Sequence, residues 1–229
     1  SIKGSIYEQP EIKETLFNIL WGGGFSYERY LWAILLSAFA GSSIISQDLR
    51  ENSIALYLSR PLTWYDYLFS KFLSLMAVLS TITLVPVILL FMTATAFSEL
   101  DASQIIDQLL LLLGMIISYI IALLLFTSVS MAFSTLVKRG IFAGVALFVF
   151  FIFTSTISDI MLLIFDNDHL RLINLNYVMK SLFRPLFGMS YDVSSIGFEW
   201  YLGAAVMILI CALCWTSMIL YFSRKEVAK

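Results

Sequence analysis

Polar and apolar positions fall along this chain in long blocks, not in the short periods of a soluble fold. Apolar runs cover about Tyr30–Ser46, Leu68–Phe97, Ile105–Val137, Ile141–Phe165 and Trp200–Phe222. A helix needs roughly 20 mostly apolar residues to cross a bilayer. The last four runs meet that length. The first is short and is expected to continue into Gln47–Glu51. The pattern predicts an all-α integral membrane protein with five visible transmembrane helices and one transmembrane domain over residues 1–229.

Local signals refine the edges. Thr63-Trp-Tyr-Asp66 fits a capping box that opens the second span, and Pro61 just before it blocks a continuous helix from Ile54. A helix from Thr63 to Phe97 is about 50 Å long at 1.5 Å per residue, against a hydrocarbon core of about 30 Å. Its first turns, with Asp66 and Lys71, must therefore stand in water. Asp101-Ala-Ser-Gln104 resembles a second cap, and Lys138-Arg139-Gly140 closes the third span. Pro86 is a membrane kink or a hinge.

Three polar segments remain. Residues 1–29 form an outer segment in which Ile12, Leu16, Ile19 and Leu20 make a short surface helix. Gly22-Gly23-Gly24 then breaks it. Residues 47–67 join the first two spans. Residues 166–199 form an outer connector. Within it Leu172, Leu175, Met179, Leu182, Phe183 and Leu186 share one face, while Arg171, Asn174, Lys180 and Arg184 lie elsewhere. That reads as an interfacial or re-entrant helix before the last span, ended by Pro185 and Gly188.

Composition narrows the class. Hydrophobic residues are 60% and charged residues 13%, a balance outside that of soluble domains. A formal net charge of -2 gives no reason to expect nucleic acid as a partner. Basic residues are sided. Arg50, Arg60, Lys71, Lys138, Arg139, Arg224, Lys225 and Lys229 fall on the side of the 47–67 connector, 8 of the 14 in the chain, and the turn Ser98–Gln104 holds none. The positive-inside rule places that connector and the C-terminus in the cytoplasm. The N-terminus then starts outside, although no signal peptide is visible. A further span before Ser1 would resolve this and give six.

Candidate chemistry is sparse. Asp159 sits late in the fourth span. An ionisable group at membrane depth is expensive and marks a possible translocation path. The competing reading is that Asp159 reaches the outer interface, with Ser155, Thr156 and Ser158 bonding locally. Cys211 and Cys214 have redox spacing but read as packing residues in an apolar run. His169, among Asp166, Asn167 and Asp168, reads as a capping turn before a weak cation site. The Phe-rich run Phe148, Phe150, Phe151 and Phe153 reads as packing first and a lining for apolar cargo second. No Gly-x-x-x-x-Gly-Lys-Ser/Thr loop occurs in the chain, and no metal set is expected.

The segment Gln47–Lys71 carries a pattern: Ser46, Gln47, Asp48 and Glu51 closing a span, then Ser59-Arg60-Pro61, then Tyr65, Tyr67 and Lys71 opening the next. This resembles the permease subunits of ABC-2-type ABC transporters. The match is concentrated in about 25 residues. It departs from the family pattern in lacking a first span and in having Asn52-Ser53 where glycine is common. The resemblance implies a membrane permease subunit, an exporter by direction, in the cell membrane. It implies pairing with a second permease subunit, homo- or heterodimeric. It also implies docking of cytoplasmic ATPase subunits through a coupling helix, with ATP and Mg held by those subunits and no cofactor on this chain. The docking residues on this reading are Asp48, Arg50, Glu51, Ile54, Tyr57, Leu58, Arg60 and Pro61. Ile54, Tyr57 and Leu58 independently form an apolar stripe that needs a groove to cover it. The alternative is a non-transporting membrane scaffold or passive channel. An intramembrane enzyme would need convergent polar groups, and only Asp159 is a candidate.

Overall fold

The computed structural model describes residues 26–51, 63–96, 102–137, 139–165, 167–187 and 198–227. Seven α-helices and no strand occur among them. In chain order these are α1 (Ser26–Ser42), α2 (Ser46–Arg50), α3 (Trp64–Ala96), α4 (Ala102–Leu136), α5 (Gly140–Phe165), α6 (Leu175–Leu186) and α7 (Trp200–Val227). A 3-10 turn, Asp168–Ile173, links α5 to α6.

Four helices, α3, α4, α5 and α7, are long and apolar enough to cross a membrane. The chain is a multi-pass membrane protein. The fifth expected span corresponds to α1. It begins at Ser26, four residues before the expected start, and is 17 residues long. The expected continuation into Gln47–Glu51 is interrupted. The chain turns at residues 43–45 and restarts as α2. The start of α3 follows the capping-box expectation closely. Thr63 N–H and Oγ1 donate to Asp66 Oδ2 at 3.1 and 2.7 Å, and Asp66 N–H donates back to Thr63 Oγ1 at 3.3 Å. Two orphan donors of the first turn are met reciprocally.

Helix α4 is the hub, packing against α1, α3, α5, α6 and α7. Its inward residues include Leu125, Val129 and Met131, together with small polar ones: Ser118, Thr127, Ser128, Ser130 and Ser134. Apolar burial drives association poorly where lipid is as apolar as leucine, so close approach of backbones decides which helices meet. Gly114 of α4 meets this need. A Cβ there would run into the Leu186 carbonyl of α6, and one at Gly203 of α7 would run into Ser181 Oγ, also on α6. The opposite surface of α3 shows the lipid-facing counterpart, with Phe69, Leu73, Leu89 and Met92 exposed.

The expected amphipathic helix in the outer connector is α6. It buries Leu175, Val178, Met179 and Phe183 against the bundle. It runs through Pro185 to Leu186, one residue beyond the expected stop, because proline is tolerated where the last turn closes on other donors. Phe187 N–H bonds Phe183 and Arg184 carbonyls at 3.2 Å. The expected surface helix in 1–25, the Asp101 cap, Lys138 and Gly188 lie outside the described residues.

Candidate functional site

The described parts of the 47–67 connector are its two ends, α2 and the start of α3. Both ends are tied to the helices by side chains. Asp48 sits in α2 and its Oδ2 accepts from Tyr67 Oη at 2.7 Å and from Lys71 Nζ at 2.8 Å, both on α3. Lys71 also lies 5.7 Å from the Tyr67 ring centroid. The side chains of Lys71 and Asp48 are only 26% and 15% exposed, so this pair is more than a solvated surface contact. Tyr67 continues the connection to α7, its ring 6.0 Å from that of Phe222. One carboxylate thus joins the last described turn before the connector to the first turns after it.

The break between α1 and α2 is held by a residue from far along the chain. Ser134 Oγ of α4 accepts from the N–H groups of Ile45 and Ser46, each at 3.0 Å, and donates to the Ser42 carbonyl at 3.0 Å. Ser46 Oγ donates to the same carbonyl at 2.8 Å. Backbone groups orphaned by a helix end must find partners when buried, and one hydroxyl supplies three. Sequence reading missed Ser134. It is one of several hydroxyl residues in an apolar run, and nothing local distinguishes it.

The remaining docking candidates divide. Arg50 and Glu51 are exposed and in loose contact at 3.7 Å, and Gln47 Nε2 donates to Glu51 Oε1 at 3.1 Å. Ile54, Tyr57, Leu58, Arg60 and Pro61 lie outside the described residues. Of the residues that carry the resemblance, the structure brings Tyr67 and Lys71 to the Asp48 carboxylate and, separately, ties Ser46 to Ser134.

The helix packing gathers the end of α1, the start of α3, the end of α4, the start of α5 and the end of α7 at one end of the bundle. Arg50, Lys71, Arg139 and Arg224 are carried there. The opposite end holds α6 and the 3-10 turn. There Asn174 Nδ2 donates to Ser155 Oγ at 3.2 Å and Ser158 Oγ donates to the Leu170 carbonyl at 3.1 Å. The inner face of α5 near Asp159 is therefore occupied by these contacts. Asp159 itself is exposed, one turn beyond the buried Ser155 and next to the buried Ser158.

Residues 8–228 match a protein family of unknown function, DUF2705. The chain is a DUF2705 protein. No curated protein and no solved structure matches it. In this DUF2705 chain, Cys211 and Cys214 are free thiols, half-buried in α7. Asn167 Oδ1 accepts from His169 N–H at 3.1 Å, the capping geometry expected for that turn. Among the described residues no three His, Cys, Asp or Glu side chains converge as a metal-ligand set.

Around Tyr177 in α6, Arg171 and Lys180 lie 5.6 and 5.5 Å from the ring centroid. Arg171 also pairs with Asp168 at 3.1 Å. Burial holds the Lys180 ammonium below the usual lysine range, and the nearby Arg184 charge adds to this.

Proposed function

We propose that this DUF2705 chain is the membrane permease subunit of an ATP-driven ABC transporter, working as an exporter in the cell membrane. The 47–67 connector and the C-terminus face the cytoplasm in this reading. ATP hydrolysis belongs to separate ATPase subunits that bind ATP and Mg. The permease pairs with a second permease subunit, and the connector is the coupling element against which the ATPase pushes.

The observation that carries this reading is the Asp48–Tyr67–Lys71 tie. A coupling element must pass force to the spans and not simply flex. Here the strand of chain entering the connector and the helix leaving it share one carboxylate. Tyr67 then leans on Phe222 of α7, and Ser134 fixes the preceding turn to α4. Displacement of the connector would thus reach α3, α4 and α7 together. The basic residues gathered at that end support a cytoplasmic placement.

The test is purification of the chain from its native host in mild detergent, with mass spectrometry of what accompanies it. A stoichiometric partner carrying a phosphate-binding loop is the expected result. A chain that emerges alone in every detergent points to a scaffold or passive channel. Within a reconstituted complex, Glu51→Ala and Arg60→Ala are expected to lower transport per ATP hydrolysed by about tenfold or more, a loss of roughly 1.4 kcal/mol in coupling, with membrane insertion intact. Full transport in both variants refutes the coupling role. Asp159→Asn separates a cargo contact from an interfacial residue: unchanged cargo-stimulated ATPase activity assigns it to the interface.

A further inference from the structure

A cleft of about 490 Å³ opens between α1, α2 and the first turns of α5. Its floor is tight. A Cβ on Gly144 would come within 3.1 Å of the Ala38 carbonyl, and one on Gly140 within 3.2 Å of Ser43 Cα. The helices touch there, and their larger side chains spread apart above. Phe39 on one wall is 78% exposed, and Ile141 and Val145 on the other are 82% and 55% exposed. Leu35 and Phe148 complete the walls.

The rim at one end differs in kind. It is built by Ser43, Gln47 and Arg50. Arg50 is exposed, and its contact with Glu51 at 3.7 Å is loose. Arg139, the residue before Gly140, is exposed and makes no ion pair among the described residues. The cleft therefore presents an apolar slot with Arg50 on its rim, and Arg139 directly precedes Gly140 of its lining, at the end of the bundle where the other basic residues gather. A slot of this shape matches a hydrocarbon chain, and arginines at its end match a phosphate, which their planar forks bind in two-point fashion. Basic pockets between membrane helices at an interface select anionic head groups on the same grounds.

We propose that this cleft binds an anionic phospholipid, with one acyl chain between α1 and α5 and the phosphate at Arg50 and Arg139. The site does not depend on the permease reading, since it is formed by this chain alone and is tested without any ATPase.

The experiment is native mass spectrometry of the full chain in detergent, titrated with phosphatidylglycerol and with phosphatidylcholine of identical acyl chains. One phosphatidylglycerol per chain is expected, held about tenfold tighter than phosphatidylcholine, in line with the contribution of two interfacial arginines. Arg50→Gln combined with Arg139→Gln should erase that preference while both lipids still bind. Val145→Trp, at an exposed wall position, should fill the slot and remove binding of both. Equal affinity for the two lipids in the unaltered chain overturns the proposal. So does a preference that survives the double variant, or binding unchanged by Val145→Trp. Ile141→Cys tests the other occupant: a disulfide-linked dimer that phosphatidylglycerol does not suppress assigns the cleft to a second copy.

Discussion

The two ends of the bundle are fastened by different chemistry. At the connector end a carboxylate, an ammonium and a phenol meet at Asp48, and a hydroxyl at Ser134 holds the α1–α2 break. At the opposite end the hydrogen bonds between helices are neutral, and charge enters only beside them, where Arg171 pairs with Asp168 inside the 3-10 turn and lies over the Tyr177 ring. Asn174 bridges to Ser155 and caps α6 through Asn176 N–H at 3.0 Å, and α6 lies directly against Gly114 and Gly203. The first end depends on charge at a few atoms. The second depends on backbones that come close because no side chain intervenes. A charged tie can be loosened and remade as a partner or salt acts on it, whereas a glycine contact leaves no such freedom. The contrast fits an end that moves and an end that serves as an anchor.

The contrast can be broken most forcefully at the anchor. Gly114→Leu places a branched side chain against the Leu186 backbone, which has nowhere to yield. A loss of about 3 kcal/mol or more is expected, at the upper end of overpacking costs, read as a fall in melting temperature and detachment of α6 in hydrogen exchange. A melting temperature within a degree of the unaltered chain would mean that α6 is not clamped there.

At the connector end, Asp48→Ala removes the acceptor shared by Tyr67 and Lys71. The expected cost is about 1.5–3 kcal/mol, as for hydrogen bonds to charged groups. The diagnostic is salt. Raising salt from low to molar concentration should weaken the unaltered chain at the start of α3, and Asp48→Ala should respond less. An equal salt response in the two proteins would remove the ionic account of that end.

The smallest effect concerns Lys180, where the anchor end carries its own unfavourable charge. Its folded-state ammonium titrates below the unfolded one, so folding binds fewer protons in that window. Stability relative to Lys180→Met should therefore rise as pH climbs through the depressed folded value towards the ordinary lysine value near 10.4. A difference that falls or stays flat over that range contradicts the burial of this group.

Much of the frame was readable from local signals. The Thr63–Asp66 box and the amphipathic face of α6 act within a few residues, so they survive translation into structure. Apolarity also placed α3, α4, α5 and α7. It did not reveal that α4 is the hub, because α3 is equally apolar and in lipid apolarity does not compete for the interior. The decisive features of α4 are Gly114 and Ser134, whose meaning depends on Leu186 and Ile45, residues distant in sequence. The connector shows the same division. Asp48, Tyr67 and Lys71 stood out singly, but their meeting at one oxygen is a tertiary fact that spacing does not state. The break at residues 43–45 was missed for a related reason: Gly41, just before it, lies inside an apolar run where glycine is common, and the stabilising hydroxyl comes from another helix.

The Ser134 contact has a consequence for how the protein is made. Its partners Ser42, Ile45 and Ser46 precede it by 88 to 92 residues. During synthesis, α1 and the whole connector emerge well before the residue that fixes the turn between them. Until α4 is in place, Ile45 and Ser46 have no acceptor from that hydroxyl, and a continuous helix through Ser43 is the natural way to satisfy their backbone. The bend that aims the connector is therefore a late event in biogenesis, imposed when the central helix arrives. A chain halted before Ser134 is expected to carry α1 and α2 as one longer helix.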